Sequence, residues 1–305
     1  MTTSMLHTPI LRPVRQTAIA TVVFLFTTTA ECKPTSAELI NPQKILVQLE
    51  CTRDVELGVS LRDSSGKVLL EWRSRERFPL TSTVKALQCA RVYDLALGNN
   101  LAAIGSVANV AHSPVYGLAT PETLISLKQA CRAALSQSDN RAANFIFRHT
   151  GGPKALTEWI RLLGDSITRS DRIEPDLNLS STRDPRDSTT PSNASQLWYK
   201  LDTTLLQQAR KQWLADLASN QASSDLFDSV LPAGWQIFDR TGAGSSNENA
   251  TRAWHAIMLT ETGARYYAAV HVRSPAKTEL AHRDETLRQV FRILTRVINS
   301  KVSKH

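Results

Sequence analysis

The chain has 305 residues, 42% of them hydrophobic and 21% charged, with a formal net charge of +8 and four cysteines. That length and apolar content belong to a globular protein of one or two domains and exclude a low-complexity or fibrous chain. The basic excess does not make a nucleic-acid surface. Cationic side chains are scattered, and the densest group, Arg73, Arg75 and Arg77, is broken by Ser74 and Glu76 with no interleaved aromatics.

Arg12 and Arg15 precede an apolar run from Ala18 to Phe26, followed by small residues up to Ala30. The pattern predicts a secretory signal peptide over residues 1–30, cut after Ala30. The run is shorter than the roughly 20 residues a spanning helix needs. Glu31 ahead of Cys32 does not suit a lipid-attachment site. Export to the periplasm is expected, without stable membrane association after cleavage, in a compartment that permits disulfides.

Ala37 to Glu50 reads as an amphipathic helix. Glu56–Leu61 and Lys67–Trp72 read as strands joined by a turn at Asp63-Ser64-Ser65-Gly66. Pro79 ends the preceding segment, Thr81 or Ser82 is a candidate cap, and a helix is expected from Thr83 to Leu97. Helices are then expected over Pro121–Ser136, Arg141–His149, Pro153–Leu163 and Pro191–Leu217. Strand patterning returns over Trp235–Asp239, Arg252–Thr260 and Tyr266–Val272, with a hairpin at Glu261-Thr262-Gly263, and a helix closes the chain from Arg283 to about Val302. Strands at both ends and helices between them predict an α/β (α+β) architecture. An antiparallel sheet built from both chain ends is flanked by helices and carries an all-helical insertion. The domains expected are 38–73 with 218–302, and a helical one over 74–217. The second includes a long polar loop, 169–187, of the kind that is functional or disordered.

Four short stretches carry chemical potential. Ser82 and Lys85 lie three residues apart at a helix start, where an amine reaches a hydroxyl one turn away. Ser274 and Lys277 share that spacing and read as a surface loop. Ser138-Asp139-Asn140 reads as a helix cap or a functional triplet. Glu174 stands four residues before Asn178 on the polar loop, either as a surface carboxylate or as a partner in holding a water. Asp239-Arg240-Thr241-Gly242-Ala243-Gly244 follows a strand.

Together these residues resemble the serine class A β-lactamases, which share Ser-x-x-Lys, Ser-Asp-Asn, Glu-x-x-x-Asn and Lys-Thr-Gly in this order. Phe78-Pro79-Leu80-Thr81-Ser82, Arg172-Ile173-Glu174-Pro175-Asp176-Leu177-Asn178 and Leu231-Pro232-Ala233-Gly234-Trp235 look most like the carbenicillin-hydrolysing, Arg-Thr-Gly branch. The resemblance spans roughly residues 40 to 300. It implies that Ser82 is acylated by the antibiotic with help from Lys85. Ser138 relays a proton to the leaving nitrogen, and Glu174 with Asn178 aims the hydrolytic water. Whether Glu174 or Lys85 is the base for acylation stays open.

The resemblance further implies that Asn140 binds the substrate acylamide and Lys85, and that Asp139 satisfies backbone N–H groups. Arg240 and Thr241 would receive the substrate carboxylate, and Gly242 and Ala243 would also be substrate-binding residues. The N–H groups of Ser82 and Ala243 would form the oxyanion hole. Arg172 and Asp187 would pair across the loop's neck. His112 would flank the cleft or cap a loop. Arg252 would supply a second arginine if the long connection Ser245–Asn249 keeps it in register. Cys89 and Cys131 match a disulfide of many family members, whereas Cys32 and Cys51 are unassigned. Thr81 and Gly244 stand where class A carbapenemases carry a cysteine pair, so a penicillinase is expected.

No cofactor and no metal is expected, since the histidines lack ligand spacing. A monomer acting on a small-molecule β-lactam is expected, with no nucleic-acid partner. Two rivals remain: a penicillin-binding DD-peptidase, and a penicillin-sensing domain acylated without turnover.

Overall fold

The computed structural model describes residues 41–179, 181 and 183–302. The expected signal peptide, Cys32 and the first residues of the helix expected at Ala37 lie outside them.

Helix α1 (Pro42–Arg53) begins with proline in its first turn, and Asn41 Oδ1 caps it by accepting from the Gln43 N–H at 3.0 Å. Strands β1 (Glu56–Arg62) and β2 (Val68–Trp72) form the expected hairpin. Asp63 Oδ1 closes its turn by accepting from the N–H groups of Ser65 and Lys67 at 2.9 and 3.0 Å.

A two-residue strand, β3 (Phe78–Pro79), leads into a 3-10 turn, Thr81–Thr83, and helix α2 (Val84–Asp94). Neither Thr81 nor Ser82 caps this helix, contrary to expectation. The Thr81 hydroxyl donates to the Leu80 carbonyl, and the Ser82 hydroxyl is engaged by side chains instead.

Pro121–Ser136 is not one helix. β5 (Leu124–Ser126) pairs with β4 (Leu101–Ala103), and α3 (Leu127–Ser136) starts only where Ser126 and Gln129 close a reciprocal capping box. α4 (Asn140–His149) and α5 (Gly152–Leu162) follow, then the long loop and β6 (Ser188–Thr189), which pairs with β3. The helix expected over Pro191–Leu217 is two, α6 (Pro191–Thr204) and α7 (Gln207–Ala218). Extended backbone at Leu205 and Leu206, with ψ of 141° and 144°, breaks it.

After the short α8 (Ser224–Phe227) come β7 (Gln236–Ser245), β8 (Asn249–Leu259) and β9 (Arg265–Pro275), all longer than their apolar patterning predicts, and then α9 (Leu280–Val302). Ser274 belongs to β9 and is buried, its hydroxyl donating to the Ala250 carbonyl at 3.1 Å. The second Ser-x-x-Lys is therefore half strand and not the loop expected.

The main sheet is antiparallel in the order β2-β1-β9-β8-β7, joining strands from both chain ends. Side chains alternate across it. Leu57, Val59, Ala256, Ala268 and Val270 pack with residues of α1 and α9 such as Leu46, Phe291 and Leu294. On the opposite face Ile257 and Tyr267 join Trp198, Trp213, Phe145 and Leu135 of the helices in a second core. Cys89 of α2 and Cys131 of α3 are joined by the expected disulfide. No helix among the described residues is long and apolar enough to cross a membrane.

Candidate active site

Three segments converge on Ser82: the start of α2, the turn before α4, and the long loop. Edge strand β7 closes the fourth side. Its approach explains two glycines. A Cβ on Gly242 would lie 2.1 Å from Thr81 Oγ1 and 2.7 Å from Ser82 N, and one on Gly244 would lie 2.4 Å from the Asn178 carbonyl oxygen. Gly244 also faces Thr81, as the expected cysteine-pair positions require. Thr81 and Ser138 both adopt left-handed backbone, with φ of 48° and 59°, which carries a strain of about 1–3 kcal/mol each. Such strain aims the Ser82 and Ser138 hydroxyls at one point.

Lys85 Nζ is the hub. It lies 3.1 Å from Ser82 Oγ, 3.1 Å from Ser138 Oγ, 2.9 Å from the Ser138 carbonyl oxygen and 2.6 Å from Asn140 Oδ1. It also lies 2.9 Å from Glu174 Oε1, with both side chains fully buried. Ser138 Oγ donates to Ser82 Oγ at 3.3 Å, so the two hydroxyls and the amine form a closed proton path. Burial pulls Lys85 from the ordinary 10.5 down to about 8; Arg240 adds to the shift, and the Glu174 carboxylate opposes it.

Glu174 is held from two directions. Asn178 Nδ2 donates to its Oε2 at 2.5 Å. Asn144 of α4 clamps its backbone, accepting from the Glu174 N–H at 2.9 Å and donating to its carbonyl at 3.0 Å. Asn144 was missed in the sequence, although it lies one turn after Asn140 on the same helix and shares its inward face. The loop itself is closed by Asp187, whose Oδ1 accepts from the N–H groups of Asp171 and Arg172 and whose Oδ2 meets Arg172 Nε at 2.5 Å. Asp139 caps α4 through the Ala142 N–H at 2.8 Å and accepts from the N–H groups of Val115 and Tyr116, the backbone role expected.

A cleft of about 470 Å³ opens above Ser82. The expected residues His112, Ser138, Asn140, Asn178, Arg240, Thr241, Gly242, Ala243 and Arg252 all line it. Glu174 and Lys85 lie beneath its floor. Arg240 is almost wholly buried, and its Nη1 donates to Asn220 Oδ1 at 3.2 Å. Burial draws it down to about 10, opposed by Asp239 and reinforced by Arg252. Asn220 in turn donates to Asp239 Oδ1 at 2.9 Å, which makes it a second residue missed in the sequence. Arg252 reaches the cleft wall from β8, where its Cα partner is Ala243, and its Nε pairs with Asp284 Oδ1 at 2.6 Å. The His112 carbonyl accepts from the Asn140 N–H at 3.0 Å, so the residue both braces the turn and lines the cleft.

Such an arrangement can add a serine hydroxyl to a carbonyl, protonate the leaving atom through a second serine, and direct water with a carboxylate.

The family model described as "Beta-lactamase enzyme family" matches residues 43–301. Beta-lactamase CARB-3 of Pseudomonas aeruginosa is 35% identical over 246 residues, covering 78% of this chain and 84% of its own. Beta-lactamase L2 of Stenotrophomonas maltophilia is 32% identical over 277 residues, covering 88% and 90%. Among solved structures, the chromosome-encoded β-lactamase of Vibrio parahaemolyticus superposes with a TM-score of 0.78 at 32% identity, over 84% of this chain and 98% of that one. An ancestral class A β-lactamase gives a TM-score of 0.78 at 30% identity, over 84% and 99%.

Proposed function

The chain belongs to the class A serine β-lactamases, and from that premise we propose that Ser82, Lys85, Ser138 and Glu174 carry out the hydrolysis. A neutral Lys85 takes the Ser82 proton from 3.1 Å as the hydroxyl attacks the lactam carbonyl. A Lys85 titrating at about 8 supports this assignment, because little free energy is needed to free the amine. The N–H groups of Ser82 and Ala243 receive the oxyanion. Ser138 then hands the proton to the ring nitrogen, fed by Lys85 Nζ at 3.1 Å. Glu174, oriented by Asn178, deprotonates the water that cleaves the acyl-serine.

Arg240, Thr241 and Arg252 hold the substrate carboxylate, Asn140 the acylamide, and His112 flanks the substrate. We read the substrate as a penicillin, with carbenicillin in the preferred set and carbapenems excluded. Gly244 beside Thr81 supports the exclusion, because these positions hold no cysteine pair. The division into residues 38–73 with 218–302 and 74–217 is supported by the two hydrophobic cores. Periplasmic export is supported by the charged-then-apolar N-terminal sequence and the disulfide.

The observation that carries the reading is that one amine touches both the Ser82 hydroxyl and the Glu174 carboxylate. A penicillin-binding peptidase or sensor lacks the deacylating half. A chromogenic cephalosporin separates them: many turnovers per enzyme are expected, whereas a single stoichiometric burst would overturn the proposal.

A further inference from the structure

Three arginines stand at the carboxylate-binding end of the cleft, and among the described residues Arg252 alone of them forms an ion pair. Arg240, Arg252 and Arg283 line it together, contributed by β7, β8 and the beginning of α9. Their electrostatic coupling is repulsive: after burial, Arg252 is what draws both Arg240 and Arg283 below the usual arginine value.

The neighbouring carboxylates offset part of this charge, Asp239 and Glu174 at Arg240 and Asp284 at Arg283, but their hydrogen bonds go elsewhere than to Arg283. Asp239 lies beside Arg240, but its oxygens accept from Asn220, Ser223 and Trp254. Glu174 serves Lys85. Asp284 pairs with Arg252 through Nε. Arg283 is 8% exposed; its Nη1 donates to the Thr251 carbonyl at 2.5 Å, and its buried Nε has no hydrogen-bond partner among the described residues. A guanidinium desolvated with an unpaired donor is costly, and an anion brought alongside lowers that cost.

We infer that Arg283, with Arg252, forms a second anion subsite next to the one that receives the lactam carboxylate. The ligand class is a β-lactam with a further acidic group on its carboxylate-bearing ring. Leu280, half exposed at the same end of the cleft, lets such a substituent pass toward solvent. This inference rests on the lactamase reading above.

The test uses two cephalosporins that differ only in the 3-substituent, one ending in a carboxylate and the other in its primary amide. At low salt the wild-type enzyme is expected to favour the acid about tenfold in kcat/KM. Arg283→Gln should remove that preference by raising KM for the acid alone, with kcat and the amide values unchanged. Arg283→Lys, which keeps the charge, should retain most of it. If Arg283→Gln fails to fold, the wild-type salt dependence decides, since kcat/KM for the acid must fall more steeply with ionic strength than for the amide. Equal wild-type values for acid and amide, parallel salt slopes, or a variant that loses both substrates alike would overturn the subsite. Turnover of benzylpenicillin but of neither cephalosporin would also overturn the subsite, whereas absence of turnover on all three would instead overturn the lactamase reading.

Discussion

Lys85 and Glu174 form an ion pair at 2.9 Å with neither side chain exposed, and the same amine lies 3.1 Å from the Ser82 hydroxyl. A buried pair of this kind contributes little net stability by itself, because both ions lose water to make it. In the proposed mechanism its value is positional: the amine that serves acylation stands beside the carboxylate that serves deacylation.

Glu174→Ala should separate the halves. Acylation of Ser82 continues, while hydrolysis loses its base, and turnover falls by about 10²–10⁴-fold. Intact-protein mass spectrometry after mixing with a penicillin should show a long-lived adduct. An enzyme that stays unmodified, or that turns over normally, contradicts the role given to Glu174.

Lys85 predicts a pH dependence of both rate and stability. The acylation rate should rise through pH of about 8 as the amine loses its proton. In the unfolded chain Lys85 keeps its proton up to the ordinary 10.5. Between these values the unfolded state binds the proton that the folded state has released, so this group makes unfolding free energy rise with pH. Lys85→Met should abolish acylation and flatten that slope in thermal melts taken across the window. A slope unchanged by the substitution shows that Lys85 does not titrate there.

Arg172→Ala leaves Asp187 buried without its side-chain partner, its Oδ1 still bound to two backbone N–H groups. Burial already pushes the Asp187 carboxyl up, and Arg172 works against that push. The expected cost is about 3 kcal/mol, the range for breaking a buried pair on one side. Hydrogen exchange should accelerate over 169–187, and deacylation should slow more than acylation because Glu174 depends on that loop. Uniform acceleration across all helices would point to global destabilisation instead.

Removing the Cys89–Cys131 bridge should lower stability without touching the chemistry. It closes a separation of 42 residues between α2 and α3, for which chain entropy gives an upper figure of about 4 kcal/mol. A Cys89→Ala, Cys131→Ala double variant should melt earlier and keep its kcat at 25 °C. A large loss of kcat in the folded variant would mean that the bridge positions Ser82.

The sequence by itself determined the candidate catalytic inventory. Ser82 with Lys85, Ser138 through Asn140, Glu174 with Asn178, and Arg240 through Gly244 are each contiguous, so their spacing reports a local backbone shape that packing does not alter. It also determined the β1–β2 and β8–β9 hairpins and most of the amphipathic helices, whose periods follow from burial of one face, but neither the β4–β5 pair nor the break at Leu205. Tertiary structure alone decided which of these residues meet. Lys85 and Glu174 are far apart in the chain, and nothing local to either announces the 2.9 Å contact. Asn144 reads as an ordinary helix residue until the loop backbone lies against it. The partner of Arg252 lies on another element, at Asp284. His255 and His271, with no metal-like spacing, come within 3.0 Å because neighbouring strands place them on one buried face, where burial lowers both. Such contacts depend on the path of the whole chain, which short-range patterns do not encode. Only the packing of helices and sheet around Ser82 turned four short motifs into one site.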